Sequence, residues 1–98
     1  MAKAKLKEVV PVEILKLDLG CGPNKREGFT GIDTLSFDGK VDLVLDLSCG
    51  KWPWKDDSVD EANSSHFIEH LTAPERIHFY NELYRVLRKG AKCSCVVP

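Results

Sequence analysis

From Ile14 onward, short apolar runs alternate with turn residues. Ile14-Leu15-Lys16-Leu17-Asp18-Leu19 predicts a strand, closed by Gly20 and by Gly22-Pro23. Phe29-Thr30-Gly31-Ile32 predicts a second strand ending at Asp33, and Val41 to Leu45 a third ending at Asp46. A turn-rich loop follows, marked by Pro53 and by Asp56-Asp57-Ser58. Glu61 to Ser65 predicts a fourth strand, with a turn of helix starting near Phe67. Cys93 to Val97 predicts a fifth, bounded by Pro98.

One segment changes period from two to 3.6. Thr72-Ala73-Pro74-Glu75 has the form of a capping box, with Pro74 in the first turn, where its missing N–H is harmless. Ile77, Tyr80, Tyr84 and Leu87 recur at helical spacing, with Leu83 beside them, and predict the buried stripe of a helix. Arg85, Arg88 and Lys89 fall where cations oppose the helix dipole, and Gly90 predicts the stop. Strands alternating with a helical segment predict an α/β fold with a parallel sheet. In such sheets ligands bind outside the carboxyl ends of the strands.

Composition adds bounds rather than identity. The chain has 98 residues, which suits one small domain, with residues 1–12 as a loose lead-in. Fourteen basic and 15 acidic residues nearly cancel, so no nucleic-acid surface is implied; Lys3, Lys5 and Lys7 are too sparse to suggest one. No apolar run has the length of a membrane span and no signal-peptide core follows the basic start, which predicts a cytoplasmic chain. Cys21, Cys49, Cys93 and Cys95 show no CxxC spacing and are expected to act as small apolar residues.

The candidate chemistry lies at the predicted strand ends. Gly20 and Gly22 leave the backbone bare where a ligand must come close. Asp33, at the end of the second strand, offers a carboxylate to the two hydroxyls of a ribose. Asp46, at the end of the third, offers an acceptor to an adenine amino group. Together these predict an adenosine site. A dinucleotide is disfavoured: Lys25 stands where GxGxxG needs its third glycine, and Pro23 to Gly28 is too short for the usual phosphate-binding helix. No GxxxxGK[ST] loop is present.

These motifs resemble the class I S-adenosylmethionine-dependent methyltransferases, in particular their type 11-like group. Leu17-Asp18-Leu19-Gly20-Cys21-Gly22-Pro23 resembles the first motif of that family. Trp52 to Asp60 is similar to the loop into its fourth strand, and Phe67-Ile68-Glu69-His70-Leu71 to the segment after it. Glu82 to Gly90 and Val96-Val97-Pro98 resemble the approach to, and end of, its fifth strand. The resemblance covers residues 14–98. It implies a Rossmann-like fold with strands in the order 3-2-1-4-5, the full family sheet having seven, and S-adenosylmethionine as cofactor. Gly20, Cys21 and Gly22 would then pass beneath the methionine portion, with Asp18 supporting the loop. Asp33 would hold the ribose, Asp46 and the backbone of Leu47 the adenine. The backbone at Ser64 or Ser65 would meet the methionine amine, and His66 and His70 would face the acceptor as candidate general bases. The implied acceptor is a small molecule rather than a macromolecule. Asn24 departs from the glycine of many relatives, and the 12 residues between Gly20 and Asp33 require an abbreviated first crossover.

Two rival readings remain. His66-Phe67-Ile68-Glu69-His70 fits H-x-x-E-H, a zinc-peptidase pattern if both histidines lie on one helix. A chain ending at a fifth strand would also expose a sheet edge that invites a second copy, making a non-catalytic or self-associating module. Trp52 and Trp54, flanking Pro53, are expected to anchor their loop to the core. Asn63-Ser64-Ser65 fits a glycosylation sequon, without meaning in a buried strand.

Overall fold

The computed structural model describes residues 14–97. The predicted lead-in and Pro98 lie outside the described residues. Five strands form one parallel sheet: β1 (Lys16–Leu19), β2 (Thr30–Asp33), β3 (Leu43–Val44), β4 (Val59–Ser65) and β5 (Leu87–Val96). Their order is β3-β2-β1-β4-β5, as the family resemblance implies. A 3-10 turn at Ile68–His70 and the helix α1 (Ala73–Val86) connect β4 to β5. This is a Rossmann-like α/β fold with five parallel strands.

Leu17, Leu19, Ile32, Val59 and Ala62 are the buried apolar strand residues, and Phe79, Leu83 and Val86 cover them from α1. Trp52 sits fully buried among them, its ring 5.4 Å from that of Phe79 in an edge-on contact. Its indole N–H donates to the Leu47 carbonyl at 3.3 Å. Arg85 fastens the same loop, donating to the carbonyls of Trp52 and Trp54, each at 3.0 Å, and to Asp56 at 2.8 Å. The expected anchoring role of the tryptophans follows from these contacts.

The capping box at Thr72 forms in full: the Glu75 N–H donates to the threonine oxygen, and the Thr72 N–H donates to the Glu75 carboxylate. The helix face differs from the expected one. Tyr84 is 85% exposed, Ile77 63% and Tyr80 46%, whereas Phe79, Leu83 and Val86 are buried. Both triplets have helical spacing, offset by a residue or two. Burial selects the stripe without polar tips, because a tyrosine hydroxyl needs a partner that water supplies.

The end of the helix differs as well. α1 stops at Val86, and Arg88, Lys89 and Gly90 belong to β5. Val59 pairs with Leu87 but Glu61 pairs with Lys92, so β5 carries extra residues in a bulge. Gly90, at φ +81°, is the turning point of that bulge rather than a helix stop. Arg88 reaches back across it to Asp60, Nε to Oδ1 at 2.7 Å.

β1–β2 and β2–β3 are joined by turns, with no helix among residues 20–29 and 34–42. The sheet flanks are therefore uncovered: Leu43 and Val44 in β3 are exposed, and so is most of β5. Cys93 and Cys95 on β5 and Cys49 in the loop after β3 are exposed rather than apolar core residues, and Cys21 is half-buried. No helix among the described residues is long and apolar enough to cross a membrane.

Candidate functional site

Gly20 and Gly22 adopt φ +73° and +62°, conformations that a side chain at either position would strain. These angles turn the chain back over the end of β2. The N–H groups of Gly20 and Cys21 both donate to the Ile32 carbonyl, at 2.8 and 3.1 Å. The Gly22 N–H then donates to Asp33 Oδ2 at 2.8 Å. Asp33 Oδ1 accepts from its neighbour Thr34 N–H at 2.7 Å. Oδ1 also accepts from the Thr34 hydroxyl at 3.4 Å, so of a carboxylate's about four acceptor positions the one left unused is on Oδ2.

The loop closes on β2 at Gly31. A Cβ there would come within 2.8 Å of Cys21 Sγ and 3.0 Å of Lys25 Cβ. Close approach of connection and strand, which the dinucleotide fingerprint obtains with its third glycine, is obtained here by a glycine in the strand itself. Lys25 donates to Asp42 Oδ2 at 2.7 Å and to the Phe29 carbonyl at 3.1 Å, tying the short crossover to the start of β3.

Between the glycine loop and the ends of β4 and β5 lies an open cavity of about 380 Å³, whose wall includes Asp18, Gly20, Arg26, Asn63, Ser65 and Ser94. Its floor is a closed hydrogen-bonded ring. Asp18 Oδ2 accepts from the Arg26 backbone N–H at 2.8 Å, and Asp18 Oδ1 from Asn63 Nδ2 at 3.1 Å. Arg26 Nη1 in turn donates to Asn63 Oδ1 at 3.0 Å. Asp18 and Asn63 are buried at 4% and 5% exposure. Buried polar groups are retained in such a ring because each satisfies another.

The other candidate residues are placed as follows. Cys21 borders the cavity, and burial, with the charges of Asp18 and Asp33, pushes its thiol up to about 11. That shift favours the protonated thiol at neutral pH. Asp46 is exposed and turned into its own loop, with Oδ1 accepting from both the Ser48 N–H at 2.9 Å and the Ser48 hydroxyl at 2.6 Å. These bonds hold its carboxyl below the usual range. Leu47 is buried and its carbonyl serves Trp52. Ser65 lines the cavity, whereas Ser64 alternates to the other face, where its buried hydroxyl has no partner among the described residues.

His66 and His70 lie past the end of β4, outside the residues that line the cavity. His66 takes φ +54°, and its N–H donates to the Val96 carbonyl at 2.7 Å, joining the ends of β4 and β5. Both imidazoles face Glu69 Oε2, at 3.9 and 4.0 Å, and their side chains are 63% and 73% exposed. The helical presentation needed for H-x-x-E-H is not formed: only Ile68–His70 is helical, and His66 precedes it. No group of three or more potential metal ligands occurs among the described residues.

Sequence reasoning missed Arg26 and Asn63. Asn63 was masked by its place in a sequon, and Arg26 by a segment with no periodicity. The available signal was a polar side chain in β4 level with Asp18 in β1, its parallel neighbour.

A family model described as a methyltransferase domain matches residues 36–95, more than half of the chain. No curated protein and no solved structure matches. The matched span runs from before β3 to near the end of β5, and the glycine loop precedes it.

Proposed function

Since the chain belongs to the methyltransferase-domain family, we propose that it binds S-adenosylmethionine at the carboxyl ends of β1, β2 and β4 and directs methyl transfer to a small-molecule acceptor. The observation that carries this proposal is the clamp between Gly22 N–H and Asp33 beside the cavity of Asp18 and Asn63. The donor set fits the cofactor. A buried carboxylate and amide suit an ammonium group, and a β2-end carboxylate with an unused acceptor position on Oδ2 suits a ribose hydroxyl. Asp18, Gly20, Cys21, Gly22 and Ser65 would surround the methionine portion and Asp33 the ribose. Asp46 and the Leu47 backbone would border the adenine, Asp46 through the oxygen that accepts only a long contact from Cys49, 3.6 Å.

When bound, the cofactor supplies an activated methyl group on a good leaving group. The protein's work is then alignment and exclusion of water. A base is needed only for an acceptor that must lose a proton, and His66 or His70 would take it. Titration calorimetry with S-adenosylhomocysteine, with NAD as control, tests the proposal. Saturable binding of the first and none of the second is expected. No binding of S-adenosylhomocysteine, or equal binding of NAD, overturns it.

A second reading, self-association through β5, is favoured by the exposure of that strand at the sheet edge. Sedimentation over a range of concentrations would show a reversible dimer, and a monomer throughout would remove it.

A further inference from the structure

We propose that Arg26 reads the carboxylate of the methyl donor's amino-acid portion and makes the site selective for a zwitterionic nucleoside; this rests on the donor assignment above. Arg26 is held at three points, one on its backbone and two on its guanidinium. Its own backbone N–H is fixed by Asp18 at 2.8 Å. Its Nη1 is fixed by Asn63 at 3.0 Å. Its Cζ lies 5.3 Å from the Phe29 ring centroid, a stacking distance for a cation on an aromatic face.

Only one of its five N–H donors is occupied among the described residues, so Nε and Nη2 remain to grip a planar anion in the two-point manner that guanidinium favours. Arg26 is the one cation lining this cavity among the described residues. The neighbouring Lys25 is paired with Asp42 and Lys16 with Glu61.

The spacing of charge within the cavity points to the same ligand. Arg26 makes no ion pair with Asp18 although both belong to one ring; the neutral Asn63 side chain stands between them, bonded to each. Kept apart, the two charges offer one anionic and one cationic receptor on a single wall. That is the complement of an α-ammonium beside an α-carboxylate.

The test compares two ligands by calorimetry: S-adenosylhomocysteine, and 5′-methylthioadenosine, which lacks the amino-acid portion. The native chain is expected to prefer the first. Arg26→Met should weaken S-adenosylhomocysteine by about 10- to 100-fold and leave 5′-methylthioadenosine within about twofold, with Arg26→Lys in between. Equal weakening of both ligands, or of neither, overturns the proposal. A ligand-side arm needs no variant: the carboxamide of S-adenosylhomocysteine should bind the native chain as weakly as the parent ligand binds Arg26→Met. Undiminished binding of the carboxamide overturns the role of Arg26 while the donor assignment stands. Failure of both nucleosides to bind the native chain overturns the two together.

Discussion

The Gly22 backbone N–H donates to Asp33 Oδ2 at 2.8 Å, so one carboxylate both shapes the loop and stands where a ribose would be held. Replacement of Asp33 by alanine removes both functions. S-adenosylhomocysteine affinity should fall by about 10- to 100-fold, the equivalent of charge-assisted hydrogen bonds worth about 1.5–3 kcal/mol. Titration calorimetry on the variant checks this. An unchanged dissociation constant would remove Asp33 from the site.

Gly20 and Gly22 share a positive φ but differ in what surrounds them. A Cβ on Gly20 would overlap the Phe67 ring, whereas one on Gly22 meets nothing within 4 Å. Gly22→Ala should cost about 1–2 kcal/mol from backbone strain alone. Gly20→Ala adds overpacking and should cost about 2–5 kcal/mol. Thermal unfolding of the two variants separates these effects. Equal loss would mean that Phe67 does not pack against the loop.

The sheet and its order were legible because each strand end carries its own turn chemistry, and because the motifs occur in the family's order. The capping box was legible because it is entirely local: Thr72 and Glu75 satisfy one another whatever the tertiary structure does. The bulge at Gly90 was not, because its signal is shared with a helix stop and only pairing with β4 decides between them. The same limit applies to the site. Gly20 and Asp33 announce themselves by position. Arg26 is brought to Asn63 across 37 residues by a connection that has no period to read.

Glu82 accepts from Arg85 Nη2 and from the Trp52 N–H, both at 2.8 Å. The Arg85 hydrogen bond is the main cause that holds its carboxyl below the usual 4.5, with the Trp52 N–H adding to it. A depressed value in the folded state means that this stabilisation is complete above pH 4.5 and is lost as pH falls through the lower folded value. Glu82→Gln should therefore be less stable than the native chain at neutral pH, and the gap should narrow in acid. Urea midpoints at pH 7 and pH 3 measure it. A gap that is constant with pH would show that charge on Glu82 contributes nothing.

The orientation of α1 is open to the most direct check. Phe79 is fully buried between Trp52 and Phe67, with ring centroids at 5.4 and 5.7 Å, while Tyr84 is 85% exposed. Phe79→Ala removes a ring that its neighbours cannot replace and should cost about 3–5 kcal/mol. Tyr84→Ser alters a surface position and should stay within about 0.5 kcal/mol. Chemical denaturation of both variants tests the assignment. A large loss in Tyr84→Ser with a small one in Phe79→Ala would place the tyrosine stripe in the core, and with it rotate the helix that leads from β4 into β5.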